Sequence, residues 1–419
     1  MSVKNVTRRR RRKKGGDDAK TRKPALPKGS KIRKTAKTQP GKSCHPDALR
    51  NPTITSDSCL TSKKIEQLKT AYNSKHPYRK ILATNPALIH RELMKRFPEC
   101  KKDEKCWIQK IIGEKALDKI YRPISPADWK QNPVEWLSNL DIGAVMKQYE
   151  ETYPEFDFLG PVPIDFDEDV SEVEKGVKTK NEISDSESDL GGKKGKKRKD
   201  ESKCVSVEVC GFHLAEKIKL GKTKIGIVFN LSPSTSSGSH WVSLYMHLPD
   251  AVGGRKPAAA VVVERGGGKL AEEIGDGDWN DETPYCFFFD SAGGKVPKEI
   301  EDLVARFQSE WAEYVAAVSG DAGMRGLAPK MFYDSNVRTK TEHQRGNTEC
   351  GIYSIFFITT MLTGKCAGGG VESDSCALSL DTEQKKVDYF QGEKDGGEKI
   401  RIPDSFMEEL RPVFFTPHA

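Results

Sequence analysis

The chain contains no run of eighteen apolar residues and no apolar segment behind its basic start, so neither a membrane-spanning helix nor a secretory signal is expected. None of its ten cysteines stands at C-x-x-C spacing, and the set at 44, 59, 100, 106, 204, 210, 286, 350, 366 and 376 shows no repeated pattern. That argues against a zinc ribbon and a disulfide framework, and for a reducing compartment in which most cysteines act as small buried hydrophobes. Cys44 with His45, and the pairs Cys100/Cys106 and Cys204/Cys210, are metal-ligand alternatives whose spacings fit no usual zinc template.

Acidic residues are scarce over the first 43 positions. Ten Lys and seven Arg stand there against two Asp, a net of +15, so with +8 on the whole chain the other 376 residues carry −7. Such a tail is a footprint for nonspecific binding of nucleic acid through phosphate neutralisation, or equally a solvated tail or import signal. With almost nothing to bury, it should be disordered.

Of the 419 residues, 36% are hydrophobic, enough for one sizeable domain and an accessory one. In a helical arm at 44–120, Ile65, Leu68 and Tyr72 recur at helical spacing, Asn85-Pro86 reads as a cap with a first-turn proline, and Ile89, Leu93 and Phe97 form a stripe. Trp107 is assigned to packing. After Pro123-Ile-Ser-Pro126 a second domain, 125–419, opens with a helix presenting Ile142, Val145, Met146, Tyr149 and Tyr153 on one face. Two polar or Gly-rich insertions interrupt it at about 167–203 and 250–284. The first carries a basic patch, Lys193–Lys199, and two acidic-flanked serines, Ser184 and Ser186. Val261–Val263 in the second is a candidate strand.

Between the insertions, 225–229 reads as a buried strand, and His240–Leu248 alternates, with Val242, Leu244, Met246 and Leu248 on one face. Cys286–Phe289 is a central strand ending at Asp290, Pro297 opens an amphipathic helix, and Met331–Tyr333 is another short strand. The mixture of helices and strands indicates an α+β class.

Cys350 precedes a segment that is apolar on every face and stops at Gly364. A cysteine opening a buried helix meets free backbone N–H groups and the positive end of the dipole, which favour a thiolate, although most such cysteines are core residues. Chemistry needs a base, an orienting group and an oxyanion donor. His240 at a strand start, Asp290 at the next strand end and Gln344 six residues before Cys350 supply one of each. His213, His247 and His343 compete for the base role, and Asp290 before Ser-Ala-Gly-Gly can also serve as a turn cap.

The runs Ser-Gly-Ser-His240-Trp241-Val, Phe-Phe-Phe-Asp290-Ser and Gln344-x5-Cys350-Gly-Ile-Tyr resemble the signature of the ubiquitin-like-protein-specific (SUMO) protease clan. That clan includes adenovirus endopeptidase and the polyprotein-processing cysteine proteases of large DNA viruses. Trp136-Leu-Ser-Asn-Leu-Asp-Ile is similar to the family's catalytic-domain start. The helical arm and the segment at 158–166 are more similar to the viral branch. Glu349, where cellular relatives usually carry Asp, points the same way.

The resemblance implies a papain-like cysteine protease fold, with a central mixed sheet packed on a helix headed by the nucleophile. It implies Cys350, His240, Asp290 and Gln344 as catalytic residues, with no metal or cofactor, and Trp241 as roof of a tunnel admitting Gly-Gly-type sites. The natural substrates would then be viral structural polyproteins, placing the enzyme in the virion and infected-cell cytoplasm, with the nucleus open to it. Alternatives are deconjugation of SUMO or ubiquitin-like proteins, and a catalytically inactive nucleic-acid-binding virion protein.

Overall fold

The computed structural model describes residues 44–55, 58–101, 103–170, 203–249, 283–319, 331–366, 380–392 and 400–417. The basic tail, most of both insertions, Val261–Val263, Ser184, Ser186 and the Lys193–Lys199 patch lie outside them.

The β-branched and aromatic runs form a mixed sheet of six strands among the described residues: β1 (Phe156–Phe158), β2 (Val162–Pro163), β3 (Lys224–Asn230), β4 (Trp241–His247), β5 (Tyr285–Phe289) and β6 (Phe332–Ser335). Their order is β1-β3-β4-β5-β6, with β2 also on β3. The central β3-β4-β5 pairings are antiparallel, while β1 and β6 join parallel at the edges.

Alternation along β4 divides the core as the sequence pattern requires. Val242, Leu244 and Met246 face one cluster with Cys286 and Phe288 of β5, covered by α8 (Lys298–Ser319) through Ile300, Leu303, Val304, Phe307 and Trp311. Trp241, Tyr245, Tyr285, Phe287 and Phe289 face the other cluster, built on α9 (Cys350–Thr363). From Cys350 to Leu362 every residue of α9 is buried, and the helix stops at Gly364, whose φ of 65° is a left-handed conformation that glycine adopts without strain. Gly226 of β3 lets this helix close on the sheet, because a Cβ there would meet Ile358 and Phe156 at 3.0 Å.

Helix α5 (Asn139–Thr152) starts in a capping box between Ser138 and Asp141 and adds Ile142, Val145, Met146 and Tyr149 to the α9 cluster. Two helices not anticipated from sequence, α10 (Glu383–Gln391) and α11 (Asp404–Phe414), close it through Phe390, Phe406, Met407, Leu410 and Phe414.

The arm consists of α1 (Asp47–Arg50), α2 (Ser62–Lys75), α3 (Pro86–Arg96) and α4 (Glu104–Ile112), with a hydrophobic cluster of its own around Ile65, Leu68, Ile89, Leu93 and Trp107. Asn85 caps α3 by accepting from Ala87 N–H and Leu88 N–H, as expected. The arm meets α5 through Gln148, whose Nε2 donates to the carbonyls of Asp118 (2.8 Å) and Tyr121 (2.9 Å), and through Arg122, which donates to the Tyr149 hydroxyl (3.0 Å). Short helices α6 (Val207–Cys210) and α7 (Leu214–Lys219) follow the first insertion, whose ends are joined by an antiparallel bridge between Asp169 and Cys204.

The cysteines correct the sequence reading. Disulfides join Cys44 to Cys59, Cys100 to Cys106 and Cys204 to Cys210, and Cys366 is disulfide-bonded too, whereas Cys286 and Cys350 are free thiols. These bonds take the sulfurs of all three metal-ligand alternatives out of ligation. Sequence spacing missed them because pairing depends on Cα approach. Cys44 and Cys59 come within 5.1 Å, beside the bridge from Thr53 to Thr61. Closing a loop of that length contributes about 3 kcal/mol. Replacing both cysteines by serine is therefore expected to lower unfolding free energy by about 3 kcal/mol in a denaturant titration, and to expose the arm to limited proteolysis first.

Candidate active site

Antiparallel pairing of β4 with β5 sets Ser243 opposite Phe289, so the residue entering β4 and the residue leaving β5 emerge at the same sheet end. Those residues are His240 and Asp290, and His240 Nε2 lies 2.7 Å from Asp290 Oδ1. The other ring nitrogen is left for Cys350 at the head of α9, with which His240 also hydrogen-bonds. Burial pushes the imidazole toward its neutral form, but the hydrogen bonds to Asp290 and Cys350 outweigh it and raise the pKa to about 10. His240 is therefore an imidazolium at neutral pH.

Asp290 is pinned on every side. Its carboxylate accepts from Ala292 N–H (2.8 Å) and Gly294 N–H (2.9 Å), so it caps the turn as well as holding His240. A side chain at 294 would collide with it, since a Cβ there would lie 2.7 Å from Oδ2. Its backbone N–H donates to Asn336 Oδ1 (3.0 Å) and its carbonyl accepts from Asn336 Nδ2 (2.7 Å). Asn336, fully buried just beyond β6, did not stand out in the sequence.

Gln344 returns to the same sheet end, its backbone N–H donating to the Ser291 carbonyl at 2.7 Å and its Oε1 accepting from Ser291 Oγ at 2.7 Å. Trp241 is buried with only 7% exposure, its Nε1 donating to the Leu137 carbonyl at 3.0 Å. Leu137 in turn sits over the first turn of α9, where a Cβ on Gly351 would meet it at 3.0 Å.

Of the competing histidines, His343 is fully buried, its Nε2 on the Phe390 carbonyl (2.8 Å) and its Nδ1 accepting from Ile402 N–H (3.1 Å). Burial drives its pKa down to about 4, so it serves as a neutral tie between loops. His247 lies at the far end of β4 against Tyr285, and His213 precedes α7.

Sequence reasoning also missed the ion pair behind the nucleophile. Glu349, one residue before Cys350 and buried, receives Arg411 Nε at 3.0 Å and a second guanidinium nitrogen at 2.7 Å. Arg411 also donates to the carbonyls of Glu135 (2.9 Å) and Val134 (3.2 Å) and lies over the Trp129 ring. The turn between Gln344 and Cys350 is held by Asp404, which accepts from the backbone N–H groups of Arg345 and Gly346. The only sequence signal was Glu349 itself.

Three outcomes follow. Arg411→Met leaves a buried carboxylate uncompensated and is expected to lower stability by about 3–5 kcal/mol, read by denaturant titration. Because the His240 pKa is raised from 6.5 to about 10, its ion pair stabilises the fold fully below 6.5 and that contribution is lost as pH rises through about 10. Asp290→Asn removes the main support of the charged ring. It is expected to move the basic limb of the kcat/KM profile to lower pH and reduce kcat by up to about 10⁴-fold.

Residues 217–391 match the model described as Ulp1 protease family, C-terminal catalytic domain. A candidate thiol protease of Acanthamoeba polyphaga mimivirus is 24% identical over 333 residues, covering 74% of this chain and 82% of that one. Two crystal structures of the African swine fever virus protease, one with selenomethionine, overlay with TM-scores of 0.41 and 0.40 at 15% and 16% identity. They cover 90% of this chain and 97% and 96% of theirs. The fold reading stands on the strand order and the helix headed by Cys350. The matched span contains His240, Asp290, Gln344 and Cys350, and the chain is a cysteine peptidase whose residues 217–391 are similar to the Ulp1 catalytic domain.

Proposed function

We propose that the enzyme is an endopeptidase cutting at Gly-Gly-type sites, and that its substrates are structural polyproteins of a large DNA virus processed as the virion matures. The observation that carries the proteolytic part is the 2.7 Å contact of His240 with Asp290 beside a helix-heading Cys350. The viral part is supported by the likeness to the mimivirus thiol protease. The basic tail suits retention on packaged nucleic acid.

In the working cycle the Cys350 thiolate attacks the scissile carbonyl carbon. The tetrahedral oxyanion is held by the Cys350 backbone N–H and Gln344 Nε2. His240, already an imidazolium, gives its proton to the leaving amine as the C–N bond breaks, leaving an acyl-enzyme. Neutral His240 then takes a proton from water, whose oxygen attacks the thioester and releases the acid and Cys350.

Trp241 supports the preference for glycine. Its indole follows the general base directly and is locked on the Leu137 carbonyl, so it cannot swing aside for a Cβ-bearing residue. Profiling a Gly-Gly peptide library tests this. Replacing the glycine before the scissile bond by alanine should cost about 10–200-fold in kcat/KM, and Trp241→Ala should reduce that discrimination. Equal cleavage of both peptides by the unaltered enzyme would sink the proposal. The Ulp1 match favours one second reading, deconjugation of ubiquitin-like proteins. Rapid labelling of Cys350 by a SUMO–vinyl-sulfone probe, with poor peptide turnover, would support it instead.

A further inference from the structure

An amide side chain has nearly the same shape in both flipped orientations, so hydrogen bonding alone decides which end of Gln344 faces a substrate. Gln344 Nε2 lies 3.0 Å from the Gly346 carbonyl, which can only accept. That contact requires the nitrogen there, and leaves Oε1 for Ser291 Oγ at 2.7 Å. The serine hydroxyl must then donate. With Oε1 satisfied by Ser291 and one N–H spent on Gly346, one N–H of the amide remains for another acceptor.

The two anchors are unequal. Gly346 lies on an exposed turn, where water competes for its carbonyl, whereas Ser291 is 1% exposed. Ser291 holds the backbone too, its carbonyl accepting from His343 N–H (2.9 Å) and Gln344 N–H (2.7 Å). It is also covalently next to Asp290, which holds the base.

We propose that Ser291 is a positioning residue for the oxyanion hole: its hydroxyl fixes the amide of Gln344 so that the spare N–H meets the developing negative charge. The inference rests on the assignment of Gln344 as an oxyanion donor. One dipeptide, Asp290-Ser291, then orients both halves of the reaction, the first residue acting on the imidazole and the second on the amide.

The test compares Ser291→Ala, Ser291→Thr, Gln344→Ala and the Ser291→Ala/Gln344→Ala pair with the unaltered enzyme. Three quantities are read: kcat and KM on a cleaved peptide, inhibition by the matching peptide aldehyde, and the pH profile of Cys350 alkylation by iodoacetamide. The aldehyde adduct is tetrahedral and uses the oxyanion hole, whereas alkylation does not.

Gln344→Ala should lower kcat by about 10²–10³-fold, the loss typical of one oxyanion donor. Ser291→Ala should lower kcat about tenfold or more and weaken the aldehyde in proportion, with KM and the alkylation profile unchanged. Ser291→Thr, which keeps the hydroxyl, should recover most of the rate. In the Gln344→Ala background, removing Ser291 should cost nothing further. That background also lacks the buried Oε1, so the comparison stands even if Ser291→Ala alone fails to fold.

Full kcat in Ser291→Ala beside a crippled Gln344→Ala would overturn the role of Ser291 and leave that of Gln344 intact. Full kcat in Gln344→Ala would overturn the oxyanion assignment itself. A shifted alkylation profile in Ser291→Ala, or a further loss in the double variant, would show Ser291 acting through Asp290 and His240 and also overturn the inference.

Discussion

The register between β4 and β5 is the constraint on which the rest of the site depends. Ser243 opposite Phe289 is the last pair, and beyond it the chain presents Asp290 one residue further along β5 and His240 three residues back along β4. A slip by one residue would turn Trp241 and Tyr245 toward the α8 side and carry Val242 and Leu244 against α9. The triad and the core are thus specified together: burying the correct face of β4 is what places the base beside its carboxylate.

Around that register the protein spends buried polar groups on holding loops rather than on reaction. Asn336 clamps the backbone of Asp290 from the β6 side, and His343 joins the loop before Cys350 to Phe390 and Ile402. Arg411 joins the residue before the nucleophile to the segment at 134–135. That segment leads into Leu137, whose carbonyl receives Trp241 next to the base. A continuous path of hydrogen bonds and short chain segments therefore connects the two sides of the dyad behind the substrate face. Each of these groups would be costly if left unpaired, so together they favour one geometry.

The charge state of His240 comes from the same arrangement. Burial alone would leave the ring neutral, as it does for His343, yet the carboxylate on one side and the sulfur on the other hold the proton to about pH 10. Two histidines 103 positions apart, both largely enclosed, differ in ionisation because one faces the Asp290 carboxylate and the other faces backbone.

The sequence by itself determined the local elements and the order of the chemistry. Alternation revealed β4, the aromatic run revealed β5, and an apolar segment opening at a cysteine and closing at Gly364 revealed α9, because period and capping are properties of neighbouring residues. From those ends His240, Asp290, Gln344 and Cys350 could be named before any contact was known. Only the tertiary structure decided who holds them. Asn336, Ser291, Asp404 and Arg411 are ordinary residues until the chain folds, and the partners lie from 46 to 62 positions apart in the pairs Asp290–Asn336, Ser291–Gln344 and Glu349–Arg411. The disulfides were hidden for the same reason. Spacing along the chain records which cysteines exist, while pairing requires two Cα atoms to meet at the right distance, and folding alone sets that distance.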